Sequence, residues 1–313
     1  MKTLVATLLI ALLAGCATPP PSGPQYDHTY TARGQSSRVR FLVLHYTDED
    51  FARSLDLLTR RHDNPVSAHY LVTRAGEHGR GAAVLRLVDE ARRAWHAGPS
   101  RWQGHEPLNG ESIGIEIVYE SHCARAPRPP GASPWAAEAD CAYPQFPADQ
   151  IAAVIRLAQD VLRRHPQIDP TRVVGHADVQ PENKTDPGPR FPWRALAAAG
   201  VGAWFDDADV AYYRARFDAA PPEPALVLQA LAAWGYGLQA YASGELPAGD
   251  VVRAFQCHFL PQHRSGSLDA DTAATVFALL ARYRRDELER LGTRWPQLPA
   301  PPPARQRFSM TLR

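Results

Sequence analysis

No apolar run in this sequence approaches the ~20 residues that a membrane-spanning helix needs. Four cysteines among 313 residues are too few for a disulfide scaffold. Neither sign of charge is in excess: 34 Lys+Arg face 33 Asp+Glu, a net charge of +1, so no basic field points to nucleic acid as a partner. There is no internal repeat. Proline, by contrast, is abundant: 29 residues, about 9% of the chain against a typical ~5%. With 45% hydrophobic and 21% charged residues the chain can bury a core, and its length fits roughly two domains.

The N-terminus carries a signal. Met1-Lys2 is followed by about eleven apolar residues from Leu4 to Ala14, the length of a secretory signal core and short for a membrane span. The run ends in Leu13-Ala14-Gly15-Cys16, which resembles a bacterial lipobox, where cleavage before the Cys precedes its lipidation. The alternative is an ordinary signal peptide with an incidental Cys. A Pro-rich stretch, Thr18-Pro19-Pro20-Pro21-Ser22-Gly23-Pro24, then reads as an extended tether. Acyl chains would hold such a protein to a membrane without spanning it. Ala17, rather than Asp, follows Cys16, a pattern similar to outer-membrane sorting in Gram-negative lipoproteins. Removing the signal takes Lys2, one of the 34 basic residues, and leaves the rest equal to the 33 acidic ones. Export also permits disulfides. Cys123 and Cys141 flank a Pro/Ala-rich insertion, and a bridge between them would close a loop of about 17 residues, worth ~3 kcal/mol in the chain-entropy model. Cys257 reads as a buried helix thiol.

Hydrophobic patterning predicts a mixed α/β region. Phe41-Leu42-Val43-Leu44 is an unbroken apolar run suited to a strand covered on both faces. A helix is expected over 48–61, short strands over 67–74 and 82–88, and a further strand over 112–119. In that last strand Ile113, Ile115 and Ile117 share one face and Gly114 and Glu116 the other. Ile151, Ile155, Ala158 and Leu162 recur at helical spacing within 147–165. Val173-Val174-Gly175 reads as a strand end, followed by a Pro/Gly loop and a short helix around 193–199. Residues 205–224 read as a transition. Three helices are then expected near 223–234, 247–260 and 269–282, a small all-α domain, with a Pro-rich tail after Leu298. The fold class expected is therefore α/β, a mixed central sheet flanked by helices, followed by a three-helix domain.

Three side chains stand where α/β domains place their sites. His45 and His176 each end a strand, and Asp186 lies in the loop after His176. Two imidazoles and a carboxylate, with one position open, are a catalytic zinc arrangement. The surroundings sharpen this. Leu44-His45-Tyr46-Thr47, Ser67-Ala68-His69-Tyr70, Trp95-His96-Ala97-Gly98, Gly114-Ile115-Glu116, and Gly175-His176 to Lys184-Thr185-Asp186-Pro187-Gly188 occur in that order. The series resembles the type-2 N-acetylmuramoyl-L-alanine amidases, the AmpD-like zinc amidases, and within them the AmiD-like lipoprotein branch. The resemblance covers about residues 39–196. It implies a fold like that of peptidoglycan-recognition proteins, with His45, His176 and Asp186 as zinc ligands and Glu116 and Lys184 as the catalytic pair. In some relatives the third ligand is Cys, and some phage relatives have Tyr where this chain has Ala68. That Tyr is not available here, which leaves Glu116 for proton transfer. The resemblance also places Trp95 and His96 on the glycan side of the cleft, with core packing as the alternative. His69 reads as structural, and Asp178 as a group behind the ligands.

Residues 224–283 resemble the small three-helix peptidoglycan-binding domain through Leu228-Gln229-Ala230-Leu231, Gly235-Tyr236-Gly237, Val252-Arg253-Ala254-Phe255-Gln256 and Gly266-Ser267-Leu268-Asp269. The alternative is a helical cap that only stabilises the first domain. The organisation expected is a signal over 1–15, a lipidated Cys and tether over 16–37, a zinc amidase domain over 38–204, a wall-binding domain over 205–290 and a tail over 291–313. The expected protein is a monomer on the periplasmic side of the outer membrane. It would hydrolyse the amide between N-acetylmuramic acid, or its anhydro form, and L-alanine in peptidoglycan or muropeptides. Two alternatives stay open: a peptidoglycan sensor that binds without cutting, and a zinc peptidase acting on the stem peptide.

Overall fold

The computed structural model describes residues 26–299, apart from 28, 61–62, 64, 123–131, 137–140 and 239–247. The expected signal, Cys16, the Pro-rich stretch, Cys123 and most of the tail lie outside the described residues. The chain forms two compact units, Met1–Ser36 and Ser37–Arg313. The described residues of the first contain no helix or strand.

The second unit is built on a five-stranded sheet. In chain order its strands are β1 (Phe41–Tyr46), β2 (Tyr70–Val72), β3 (Val84–Arg86), β4 (Ser112–Ile117) and β5 (Val173–Gly175). Their spatial order is β3-β2-β4-β1-β5. β1 runs parallel to both β4 and β5, β2 parallel to β4, and β3 antiparallel to β2, so the sheet is mixed. The central position of β1 explains its continuous apolar run: side chains on both of its faces must be covered.

Alternation along the strands divides them between two cores. Leu42, Leu44, Ile113, Ile115 and Ile117 point to one face and pack with Val154, Ala158 and Val161 of the long helix α2 (Ala148–Arg164). Phe41, Val43 and Val174 point to the other face and join a core made mostly by C-terminal side chains. Leu71 and Val118 pack beside Leu58 of helix α1 (Phe51–Thr59). Asp50 caps α1, its side chain accepting from the Arg53 N–H at 2.8 Å. The register pairs His45 with Glu116 and Val43 with Gly114, so those residues share a face opposite the isoleucines.

After β5 come α3 (His176–Val179), α4 (Trp193–Ala198), α5 (Asp207–Ala219), α6 (Pro224–Trp234), α7 (Ala248–Phe259), α8 (Ala270–Tyr283) and α9 (Arg285–Arg294). Among the described residues, five helices follow α4 where three were expected. The additions are α5, read as a transition, and α9. Both have sparse apolar spacing: α5 buries Tyr213 and Phe217, and α9 buries Leu288 and Leu291. Tertiary packing stabilises such helices more than their own pattern does. The rings of Phe217 and Phe277 meet edge-on, with centroids 5.3 Å apart, and so dock α5 on α8. No described helix is long and apolar enough to cross a membrane.

A partly buried ion cluster gathers around Glu90. The Glu90 carboxylate accepts from the Tyr70 hydroxyl at 2.6 Å and from Arg164 at 2.7 Å, and lies 2.8 Å from His165 Nε2. Burial alone would raise its pKa, but hydrogen bonds from Arg164, Tyr70 and His165 outweigh this and hold it at about 2. A carboxyl depressed in the folded state adds stability above its unfolded pKa, and that stability is lost as pH falls through the folded value. Glu90→Gln should therefore destabilise the protein fully at pH 7. The gap from wild type should close between pH 4.5 and about 2, as read by denaturant unfolding across pH. A gap independent of pH would contradict this.

Candidate metal centre and catalytic cleft

The three expected ligands converge. His45 Nδ1, His176 Nδ1 and Asp186 Oδ2 lie 3.0, 3.1 and 3.2 Å from one another, and all three residues are buried. His45 stands at the sheet's centre near the end of β1. His176 opens α3. Asp186 returns on a loop tied to α3 by the Ala177 N–H, which donates to the Asp186 carbonyl at 2.8 Å. Gly175 makes the close approach possible: a Cβ there would lie 2.7 Å from Pro187 Cδ and 3.2 Å from Trp193 Cζ2.

A hydrogen-bond chain sets which nitrogen of His45 is free. The Ser112 hydroxyl donates to the Leu108 carbonyl at 2.8 Å, so its oxygen accepts from His96 Nε2–H at 3.1 Å. Burial, and then the neighbouring His45, push the His96 imidazole well below its ordinary pKa, so it is neutral and its Nδ1 is an acceptor. That Nδ1 receives His45 Nε2–H at 3.0 Å. Burial, and then His176, lower His45 to about 4, so it too is neutral, with a lone pair on Nδ1. The lone pair lies 3.1 Å from Asp186 Oδ2. Burial would raise the Asp186 carboxyl, but His176 beside it holds it well below the carboxylate range. Two acceptors at that distance with no proton between them repel, and a cation between them removes the repulsion. Donors about 2.0–2.1 Å from a tetrahedral zinc stand roughly 3.3 Å apart, close to the spacing found. The donor set therefore fits zinc.

Gly114 makes room for this chain. A Cβ at that position would stand 2.5 Å from His96 Cγ. Gly114→Ala should displace the His96 ring and weaken zinc binding about 10–100-fold, the usual effect of disturbing a group that orients a ligand. Competition with a chromophoric chelator measures this, and unchanged affinity would contradict the role given to His96.

Glu116 and Lys184 border the same cleft as His176 and Asp186, together with Tyr46 and Trp95. Glu116 Oε2 is buried and has no hydrogen-bond partner among the described residues. Burial, reinforced by Asp186 and opposed by Lys184, lifts the Glu116 carboxyl to about 8. Trp95 is 48% exposed, and the Arg93 guanidinium sits 3.9 Å from its ring centroid. His96 borders this cleft as well, but less openly than Trp95. It is 7% exposed, and both its nitrogens are engaged inside the protein. Its place is behind His45. His69 is structural: Nδ1 accepts from the Gly114 N–H at 3.0 Å and Nε2–H donates to the Arg92 carbonyl at 3.1 Å. Asp178 holds no place in the triangle and accepts from the Gly175 N–H at 2.7 Å. Cys141 is disulfide-bonded, and Cys257 is a buried thiol of α7.

Motif reading gave no role at the site to Ser112, Asn109, Tyr236 or His258. Asn109 Oδ1 accepts from the N–H groups of both His96 and Ala97, at 3.0 and 2.8 Å.

The chain has relatives among known proteins. Residues 35–189 match the family model described as N-acetylmuramoyl-L-alanine amidase. The chain is 40% identical to N-acetylmuramoyl-L-alanine amidase AmiD of Escherichia coli over 290 residues, covering 90% of this chain and 98% of AmiD. It is 37% identical to 1,6-anhydro-N-acetylmuramyl-L-alanine amidase AmpD of the same organism over 128 residues, covering 41% of this chain and 55% of AmpD. Among solved structures, AmpDh3 of Pseudomonas aeruginosa matches with a TM-score of 0.73 and 38% identity, over 84% of this chain and 99% of that one. E. coli AmiD in complex with anhydro-N-acetylmuramic acid-L-Ala-D-γ-Glu-L-Lys matches with a TM-score of 0.70 and 36% identity, over 83% and 96%. With 40% identity over nearly the full length of AmiD and a match to the family model, this chain belongs to the N-acetylmuramoyl-L-alanine amidase family.

Proposed function

We propose that this protein is a zinc amidase that hydrolyses the amide between the lactyl group of N-acetylmuramic acid, or its anhydro form, and L-alanine in peptidoglycan or muropeptides. The observation that carries the reading is the triangle of His45, His176 and Asp186, of which His176 and Asp186 border one cleft with Glu116 and Lys184. The anhydromuramyl peptides bound in the solved AmiD and AmpDh3 structures support the substrate class.

Zinc, held by His45, His176 and Asp186, would supply Lewis acidity that makes water a nucleophile near neutrality and polarises a carbonyl. The remaining work falls to the chain's own groups. Glu116, ionised, takes the proton of the attacking water at its unpartnered Oε2 and passes it to the departing nitrogen of L-alanine. A C–O bond forms, the C–N bond breaks, and the products are a lactyl carboxylate and a free L-alanyl amine. The Lys184 ammonium offsets the negative charge that develops on the carbonyl oxygen. Trp95, open at the cleft, offers an apolar face to the sugar.

The apolar run before Cys16 supports the further proposal that the protein is an exported lipoprotein. It would be anchored at Cys16 on the periplasmic side of the outer membrane, with a Cys123–Cys141 bridge and residues 205–290 aiding attachment to the wall. Incubating the purified protein with a defined anhydromuramyl peptide tests the activity. Release of an intact peptide beginning with L-alanine, abolished by a chelator and restored by zinc, is the expected result. Cleavage within the peptide would replace this reading with a stem peptidase, and binding without cleavage with a sensor.

A further inference from the structure

We propose that Tyr236 and His258, from the helical region that follows the catalytic sheet, are positioning residues for the ligand His176, acting through Asp178. The inference rests on the reading of His45, His176 and Asp186 as a metal centre.

Helix α3 is only four residues long, too short to hold its own shape, so neighbours must fix the backbone of His176. One restraint comes from within the turn. Asp178 Oδ2 accepts from the Gly175 N–H at 2.7 Å, so a single hydrogen bond brackets His176 from both sides. That bond holds only if the Asp178 carboxylate keeps its place. It is 3% exposed, and a buried carboxylate needs donors. Two of its three come from far along the chain: the Tyr236 hydroxyl donates to Oδ1 at 2.7 Å, and His258 Nδ1–H donates to Oδ2 at 2.8 Å.

Both donors are themselves held rigidly. The His258 ring stacks on Trp193, with centroids 3.8 Å apart and planes 16° apart. Tyr236 meets Trp102 edge-on, with centroids 4.8 Å apart. Gly235, at φ 157°, lets this segment approach, since a Cβ there would stand 2.6 Å from Trp102 Cε2. The chain of contact thus runs from α7 and the end of α6, through one carboxylate, to the backbone that aims His176. The C-terminal helices complete the metal centre as well as covering the sheet.

A network that only fastened the helices would alter unfolding and leave the metal centre alone. The test therefore reads the metal. In the full chain, Tyr236→Phe and His258→Ala are compared with wild type and with His258→Asn, whose amide N–H stands near the place of Nδ1. Zinc affinity is measured against a chromophoric chelator, and the visible spectrum of the cobalt(II)-substituted protein reports ligand geometry. We expect Tyr236→Phe and His258→Ala each to weaken zinc about tenfold and to alter the cobalt spectrum, with His258→Asn restoring most of both. If wild type binds zinc and the variants match it in affinity and spectrum while melting lower, the positioning role is overturned. If wild type itself takes up no metal, the reading beneath it falls instead.

Discussion

Glu116→Ala should keep its zinc and lose turnover, with kcat lower by about 10²–10⁴-fold, the usual contribution of a placed general base. The reason lies in the two faces of β4. Ile113, Ile115 and Ile117 bury one face against α2, and that fixes Glu116 on the other, in register with His45. Its Oε2 is buried without a partner, so the variant leaves no protein group unsatisfied and should fold. Glu116 is not in the ligand triangle, so metal content should stay at one per chain. A second signature distinguishes a proton carrier from a structural carboxylate. A base acts when ionised, so activity falls as pH drops through its pKa. Burial sets that value at about 8 in the chain without a cation, and a nearby dication would pull it lower. The wild-type rate should therefore rise with pH along a limb centred below 8, and Glu116→Gln should lose that limb. A variant with full activity would remove Glu116 from the mechanism.

Asp186→Asn should have the opposite signature: metal lost first, turnover with it. The substitution keeps the shape and removes the carboxylate charge of the triangle. Removing one partner from a buried charged set costs about 3–5 kcal/mol, which corresponds to roughly 10²–10⁴-fold in zinc affinity. The loop should keep its path, because the bond from the Ala177 N–H goes to the Asp186 carbonyl and survives the change. Excess zinc should then restore part of the activity, which it cannot do for Glu116→Ala. Unchanged zinc affinity in Asp186→Asn would break the ligand assignment.

The parts of this architecture that follow from local pattern were legible in the sequence. The apolar run of β1, the alternation of β4 and the helical spacing of α2 each reflect one element meeting one surface. His45 and His176 could be picked out because strand ends are where such folds place chemistry, and the motif series narrowed the choice further. Helices α5 and α9 were not legible, because each carries few apolar residues and depends on α8 or its neighbours for shape. The supporting groups were harder still. Asp178 meets Tyr236 and His258 across 58 and 80 residues of sequence, and no periodicity encodes such a meeting. His96 could be placed near the cleft by its motif. Its position behind His45 depends on the absence of a side chain at Gly114, which becomes apparent only when the strands are aligned.

The central claim, that this cleft cuts the bond between muramic acid and L-alanine, is tested most directly by the destination of one oxygen atom. Hydrolysis of an anhydromuramyl peptide in ¹⁸O-water should place a single heavy oxygen in the lactyl carboxylate of the sugar and release an unlabelled peptide with a free L-alanyl amine. Label in a carboxylate of the peptide, with the sugar still attached to L-alanine, would contradict the account.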